Sequence, residues 1–262
     1  MPATGNNSLT SYRLSIRFGA DGFSFSVLNT LGGSTVQTDH FPVRNTDVSS
    51  AAAESDAADV LRQALRKPYL MDYRFQSVEF VVEGLSTIVP LEHFSKSDMG
   101  AYYRLCFPNV NSQLSIVNYQ LSLADMQYQI LSPVEAVMIF RLEQELLQIV
   151  QECYPDVKVC CADALLLEHF AALQEKRPVP EEGQQCDVYL HVGDRRFFVA
   201  VFRRSKLLYA ASQAADNDND RAFLLLGIWK ALELNAQRDA CHLQEASKEL
   251  RKTLSEYILN ME

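Results

Sequence analysis

Two similar strand-turn-strand segments constrain the fold of this chain more than any other feature of its sequence. Apolar residues alternate with others along residues 12–18 and 23–27, on either side of a turn that begins at Gly19. A similar pattern runs through residues 187–202 around Gly193, and the two segments align without a gap. Alternation of period two around a glycine turn predicts an antiparallel hairpin. Because a third strand and a helix follow each hairpin, we predict two structurally similar halves.

The boundary between these halves is predicted from composition. The stretch KRPVPEEGQQ is polar and contains two prolines and a glycine, as is typical of a linker. We therefore predict an N-terminal half at 1–178 with inserted subdomain elements, a C-terminal half at 187–262, and a linker at 176–186. Strands alternate with helices in both predicted halves, which indicates an α/β fold.

Further elements are predicted in the middle of the chain. Ser132, Pro133 and Glu135 have the pattern of a capping box, which predicts a helix from Ser132 through Cys153. Apolar periodicity predicts a helix at KSDMGAYYRLCF and strands at QLSIVNYQL and MQYQIL before that point. After it, VKVCCA predicts a strand and DALLLEHFAALQEK predicts a helix.

The composition of the chain limits the binding partners and the cellular compartment that can be expected. The net charge of -9 argues against nonspecific binding to nucleic acid or to anionic lipid. The six cysteines do not form two C-x2-C pairs, so no metal site is predicted from them. The sequence shows no signal-peptide pattern at its start and no run of 18 apolar residues. We therefore expect a cytoplasmic location and no membrane span.

The order of elements over nearly the whole chain resembles that of the actin-like ATPase superfamily, which includes actin, DnaK-type chaperones and sugar kinases. In particular it is similar to an uncharacterised bacterial family of that superfamily. The resemblance implies two ribonuclease H-like halves, each opening with a three-strand antiparallel meander. Active members carry D-x-G-[ST] in the first hairpin turn and D-x-G-G-[GS]-T in the second half. By this resemblance Gly19 and Gly193 match motif glycines, whereas Arg17 and His191 stand where active members carry aspartate.

These departures change the chemistry that the resemblance implies. The aspartates of active members hold Mg2+ and position the nucleophile, and an arginine side chain has no acceptor for a metal ion. Two acidic residues lie close by in the turns, Asp21 and Asp194, although turn aspartates often bond their own backbone. We therefore expect no cofactor. ATP and Mg2+ would be cofactors only if the protein were a divergent enzyme. The candidate cleft residues for binding a cofactor are Gly19, Asp21, Gly193, Asp194 and Arg195.

Two functions follow as hypotheses. The leading one is a pseudoenzyme, a catalytically degenerate actin-like-fold protein that acts through a protein partner. The alternative is a divergent ATP-binding ATPase or small-molecule kinase that uses Asp21 or Asp194 at the metal site. A ribonuclease H-like nuclease would require clustered carboxylates at strand ends, and the sequence offers no such pattern.

A basic run lies in the second hairpin and suggests an anion site. It consists of Arg195, Arg196, Arg203, Arg204 and Lys206. The strand FFVAVF separates the two arginine pairs by roughly 20 Å, which places them at opposite ends of the predicted sheet. Two interpretations remain open for these residues, a solvated hairpin edge and a contact to phosphate or to an acidic partner.

Overall fold

A computed structural model of the chain describes residues 12–43, 51–107, 123–177, 185–193 and 195–262. The chain divides into two compact units. The first unit comprises Met1–Gly84, Ser97–Gln127 and Phe140–Ala162, and the second comprises Leu85–Lys96, Tyr128–Ile139 and Asp163–Glu262. The predicted halves are continuous stretches, whereas each unit combines several segments. The linker at 176–186 stays a prediction.

The first unit contains a five-stranded sheet in the order β3-β2-β1-β4-β8. Its strands are β1 (Tyr12–Gly19), β2 (Gly22–Asn29), β3 (Ser34–Pro42), β4 (Phe75–Val82) and β8 (Lys158–Cys161). The first three form the predicted antiparallel meander, and β4 lies parallel to β1 on its other side. Most of the alternating apolar side chains of β1 and β2, such as Ile16 and Phe25, are fully buried, which is why the pattern predicted this hairpin correctly.

The second unit repeats this topology in a four-stranded sheet of order β11-β10-β9-β12. Its strands are β9 (Cys186–Gly193), β10 (Arg196–Arg203), β11 (Lys206–Ala214) and β12 (Ala240–Gln244). Strands β9 to β11 form the second predicted meander, and β12 lies parallel to β9. In both sheets a meander is therefore followed by a parallel strand beside its first strand.

Helices cover the sheets within each unit. They are α1 (Ala51–Leu65), α2 (Pro68–Asp72), α3 (Met99–Cys106), α4 (Gln144–Cys153), α5 (Ala162–Glu175), α6 (Asp218–Ala231) and α7 (Lys248–Ser255). In the second unit, Leu225 and Trp229 of α6 pack with Val188 and Val199 of the sheet in one buried core. None of the helices in the described ranges is long and apolar enough to span a membrane.

The helix predicted from Ser132 through Cys153 is wrong in its first part and confirmed in its last, because only Gln144–Cys153 is an α-helix. Residues Ser132–Val134 form a single 3-10 turn, Glu135 has a left-handed backbone with φ of 50°, and a strand β7 follows at Ala136–Arg141. This strand is the centre of a third sheet of order β5-β7-β6, with β5 at Ser86–Pro90 and the predicted β6 at Met126–Leu131. Every residue from Ala136 to Phe140 is buried, which suits a strand covered on both faces and not a helix with one apolar side. The predicted strand QLSIVNYQL lies outside the described residues.

The outer edge of β12 is covered by residues 260–262. The N–H of Cys241 donates to the carbonyl of Asn260 at 2.9 Å, and the N–H of Glu262 donates back to the carbonyl of Cys241 at 2.8 Å. The N–H of Leu243 donates to the carbonyl of Glu262 at 3.1 Å. These bonds add a short parallel pairing to the edge of the second sheet.

Candidate functional site

The first hairpin turn joins β1 and β2 in the first unit and depends on one glycine. Gly22 has φ of 120°, and a Cβ at this position would lie 2.6 Å from the backbone N of Val43 and against the carbonyl of Phe41. Only glycine fits this backbone and this space. Asp21 points to solvent with 70% of its side chain exposed, and its Oδ2 lies 3.9 Å from His40 Nε2. The turn therefore presents one exposed carboxylate.

An ion pair covers the other side of this turn. Arg17, which the resemblance to the superfamily aligns with a motif aspartate, pairs with the carboxylate of Glu83. Glu83 directly follows β4, and its N–H donates to the carbonyl of Phe18 at 2.8 Å. Its Oε2 lies 2.7 Å from the position that a Cβ on Gly19 would take. The space above Gly19 is thus filled by a carboxylate of the same chain, whose charge Arg17 neutralises.

The second turn joins β9 and β10 in the second unit. Arg195 has φ of 52°, its side chain is 68% exposed, and its Nε lies 3.3 Å from Asp216 Oδ1. The carbonyl of Gly193 accepts a hydrogen bond of 3.2 Å from Arg221 Nη2. A Cβ on Gly193 would meet nothing closer than 3.6 Å, so this matched glycine is not required by its surroundings. Asp194 lies outside the described residues.

His191 stands two residues before Gly193, at the position that the resemblance to the superfamily aligns with an aspartate. It lies in β9, opposite Phe198 of β10, and is partly buried. The position lies within a regular strand pair, so the departure from aspartate is accommodated without a break in the sheet.

The second unit also contains a buried charged cluster that the sequence did not reveal, and we name it the Asp163 cluster. Asp163 is fully buried, and its Oδ2 accepts hydrogen bonds from Ser86 Oγ at 2.7 Å and from Arg196 Nη1 at 3.3 Å. Arg196 Nη2 donates to the other oxygen, Oδ1. Arg196 Nη1 also lies 3.1 Å from Ser212 Oγ. Both carboxylate oxygens are therefore engaged by groups of the same chain.

The charges of the Asp163 cluster neutralise one another. Asp163 lies in the first turn of α5, where the helix dipole favours a negative charge. The guanidinium of Arg196 bonds both oxygens in the bidentate geometry that makes such pairs strong, and 18% of its side chain is exposed. Arg196 and the hydroxyl of Ser86 already bind the carboxylate of Asp163. The carboxylate is therefore not available to a ligand.

The candidate cleft residues belong to two different units. Gly19 and Asp21 lie in the first unit, and Gly193 and Arg195 lie in the second. The prediction that the two arginine pairs lie at opposite ends of one strand is confirmed, because Arg196 and Arg203 are the two ends of β10. Within the described ranges, no group of three His, Cys, Asp or Glu side chains is placed to hold a metal ion.

A second polar cluster joins β9, β12 and the residues that cover the β12 edge. His242 Nε2 lies 3.1 Å from Asp187 Oδ1, and His242 Nδ1 lies 3.2 Å from Glu262 Oε2. Arg177 donates to both Glu262 oxygens at 3.0 and 3.1 Å, and the His242 ring stacks on Tyr189 at 4.5 Å. These partners satisfy one another, so the cluster stabilises the packing of these segments.

We expect this second cluster to make the free energy of unfolding depend on pH. Burial raises the pKa of Asp187, but hydrogen bonds from His242 and Gln174 and the charge of Arg177 outweigh it, so the net pKa is lowered. The hydrogen bond from Arg177 lowers the pKa of Glu262. A carboxyl group whose pKa is lower in the folded state than in the unfolded state stabilises the folded state at any pH above its unfolded pKa, which is about 4. This contribution is lost as the pH falls through the pKa of the folded state.

Urea denaturation at a series of pH values measures this loss. The free energy of unfolding should decrease as the pH falls below about 4, and Glu262→Gln should show a shallower decrease than the parent. Glu256→Gln, on an exposed position of the same unit, is the matched control and should follow the parent. Equal slopes in all three proteins would contradict the assignment of the acid sensitivity to this cluster.

Several solved structures are similar to this chain, and one of them is similar over nearly its full length. A Bacteroides thetaiotaomicron protein with an actin-like ATPase fold and unknown function is 23% identical, with 99% of this chain and 93% of that chain covered and a TM-score of 0.74. A PilM-PilN type IV pilus biogenesis complex is 13% identical, with coverage of 95% and 87% and a TM-score of 0.44. An exopolyphosphatase from Cytophaga hutchinsonii is 12% identical, with coverage of 94% and 70% and a TM-score of 0.40. No curated protein matches the sequence.

The first of these structures confirms the predicted fold, so the chain has the actin-like ATPase fold. At the level of sequence, residues 4–261 match one family over almost the entire chain. The chain therefore belongs to the family described as Protein of unknown function (DUF3822).

Proposed function

We propose that this protein is a non-catalytic member of the actin-like fold that acts by binding other proteins. The observation that carries the proposal is the pairing of Arg17 with Glu83 over the first hairpin turn. By resemblance to active members, this is where an aspartate would hold the metal-bound phosphates. A guanidinium has five donors and no acceptor, so it offers Mg2+ nothing to bind.

The Asp163 cluster supports the same proposal in the second unit. A general base or metal ligand needs a carboxylate oxygen with a lone pair directed at its target. Asp163 is fully buried, and its two oxygens accept from Ser86 and Arg196. A buried carboxylate engaged in this way contributes to folding and is a poor candidate for phosphoryl transfer.

The geometry of the matched glycines adds to the argument. In phosphate-binding turns, glycine lets the backbone N–H groups approach the phosphate oxygens. Here Glu83 fills the space above Gly19, and Gly193 has room for a side chain. The Cβ position of Gly19 is therefore occupied by a side chain of the same unit and is not left to a ligand.

One observation favours the alternative, a divergent ATP-binding enzyme. Asp21 is 70% exposed in the first turn, and the ion-pair partner nearest to it, His40, is 3.9 Å away. An exposed carboxylate of this kind is available to a metal ion. This alternative assigns the metal side of a nucleotide site to Asp21 or to Asp194, and Asp194 lies outside the described residues.

A thermal-shift titration with Mg-ATP and Mg-ADP separates the two functions. A ligand at about 100 times its Kd stabilises a folded protein by about 2.7 kcal/mol, which shifts the midpoint measurably. We expect no shift up to millimolar nucleotide and no phosphate release above buffer. Stabilisation by Mg-ATP that Asp21→Asn abolishes would overturn the proposal and establish the alternative. Asp216→Asn, which alters an exposed aspartate near the second turn, serves as the matched control.

A further inference from the structure

The hairpin turn between β10 and β11 has an unusual backbone for its sequence. Arg204 and Ser205 are its two central residues, and they have φ of 49° and 65°. Two-residue turns with positive φ at both positions favour Asn-Gly, and other residues there carry a conformational cost of about 1 kcal/mol or more each. Strain of this kind is a reason to look for a function at the turn.

Four cations lie together at this end of the second sheet, and we name the group the basic tip. They are Arg203, Arg204, Lys206 and Arg238. Arg203 pairs with both Lys206 and Cys186 across the strands, and the N–H of Cys186 donates to Asp239, which directly follows Arg238. Sheet register and this hydrogen bond thus bring the four residues to one end of the sheet.

Three of the four cations of the basic tip form no ion pair with the described part of the chain, whereas Arg203 donates to Cys186 Sγ at 3.3 Å and is attracted by the charge of Asp239. Arg204, Lys206 and Arg238 are exposed, and none of them forms an ion pair with a described carboxylate. The acidic residue nearest in sequence, Asp239, is 4% exposed and accepts backbone hydrogen bonds from Cys186 at 2.7 Å and Asn235 at 2.6 Å. Its two oxygens are therefore committed to the backbone.

An apolar side chain lies beside these charges. Leu208 is 43% exposed and lies two residues after Lys206 in β11, where a register shift against β10 leaves it without a partner in the strand register. A surface that combines unpaired cations with an apolar contact suits a peptide that carries both acidic and apolar residues.

We propose that the basic tip binds an acidic segment of a partner protein. This rests on the proposed function, since it names the chemistry of the partner. The net charge of -9 favours such a segment over a long nucleic acid, because a polyphosphate that extends beyond the tip would meet the negative remainder of the protein. A short acidic peptide makes the local contact and avoids that repulsion.

Fluorescence anisotropy with a labelled oligoglutamate peptide containing leucines tests this proposal. We expect the parent to bind this peptide and not its glutamine counterpart, with affinity that falls as salt is added. Arg204→Glu with Lys206→Glu should weaken binding by about tenfold or more, because two attractive charges become repulsive. Lys248→Glu with Lys252→Glu makes the same change of net charge on α7 and should leave binding within about twofold.

A second variant separates binding from folding. Arg204→Asn with Ser205→Gly places the favoured residue pair in the turn, so it should raise the unfolding midpoint while it weakens peptide binding. Equal weakening by the two glutamate pairs, or equal binding of the glutamine peptide, would refute the basic tip as an acidic-peptide site. Tighter binding of double-stranded DNA or inorganic polyphosphate than of the peptide would also refute it. A nucleotide-induced shift in the earlier titration refutes only the non-catalytic function, so the two failures are distinguishable.

Discussion

Replacing Arg196 with methionine should lower the free energy of unfolding by about 3–5 kcal/mol, the largest effect we expect from a single charged residue of this protein. The reason is Asp163, which is fully buried and keeps only the hydroxyl of Ser86 among the partners described above once the guanidinium is gone. A buried carboxylate without a cation carries the full cost of its lost hydration. Urea denaturation followed by the fluorescence of Trp229, which is the one tryptophan of the chain and lies in the core of the second unit, measures the loss.

Two comparisons isolate the cause. Arg195→Met changes the neighbouring residue, whose ion pair is exposed, and should cost no more than about 0.5 kcal/mol. Arg196→Met combined with Asp163→Leu removes both charges and should be more stable than Arg196→Met alone. If the double variant were as unstable as the single one, packing of the Arg196 side chain and not the unpaired charge would explain the loss.

Gly22→Ala should lower the free energy of unfolding by about 3 kcal/mol. The added methyl group would require φ of 120° from an L residue and would lie 2.6 Å from the backbone N of Val43 and 2.9 Å from Pro42 Cα. Those neighbours are backbone atoms of the meander, so they move only if β3 shifts. Urea denaturation followed by far-ultraviolet circular dichroism measures the change.

Gly193→Ala is the matched control for this prediction. Gly193 lies at the corresponding turn of the second unit, but its Cβ position is open to 3.6 Å. The variant should stay within about 1 kcal/mol of the parent. Similar costs at the two positions would mean that the second turn is more tightly packed than its geometry indicates.

The two meanders could be predicted from the sequence because their signals are local. Each strand of the first hairpin alternates buried and less buried residues, and a hairpin needs only its own turn to bring the strands together. The prediction of a helix start at Ser132 failed because it also used only local residues. A capping-box pattern describes what a helix start needs, but the burial of Ala136–Phe140 on both faces comes from other segments of the chain. Tertiary packing therefore determines that this segment is a strand.

The ion pairs of the candidate site could not be predicted, for a related reason. Asp163 and Arg196 are 33 residues apart, and Ser86 and Asp163 are 77 residues apart. No spacing rule connects partners at such distances. A weaker signal was present, because Glu83 and Asp163 each lie just past the end of a buried parallel strand, where polar side chains of α/β folds gather. The position of a residue at a strand end does not by itself show which charges pair.

The pairing of residues 260–262 with β12 has a consequence for how the second unit can associate. An uncovered edge strand is a template on which another chain can extend the sheet, and that is a common route to aggregation. Here the N–H groups of Cys241 and Leu243 are already bonded to Asn260 and Glu262. Sheet extension from β12 is therefore blocked by the chain itself. On that side of the second unit, another molecule therefore meets residues 260–262 before it can reach the backbone of β12.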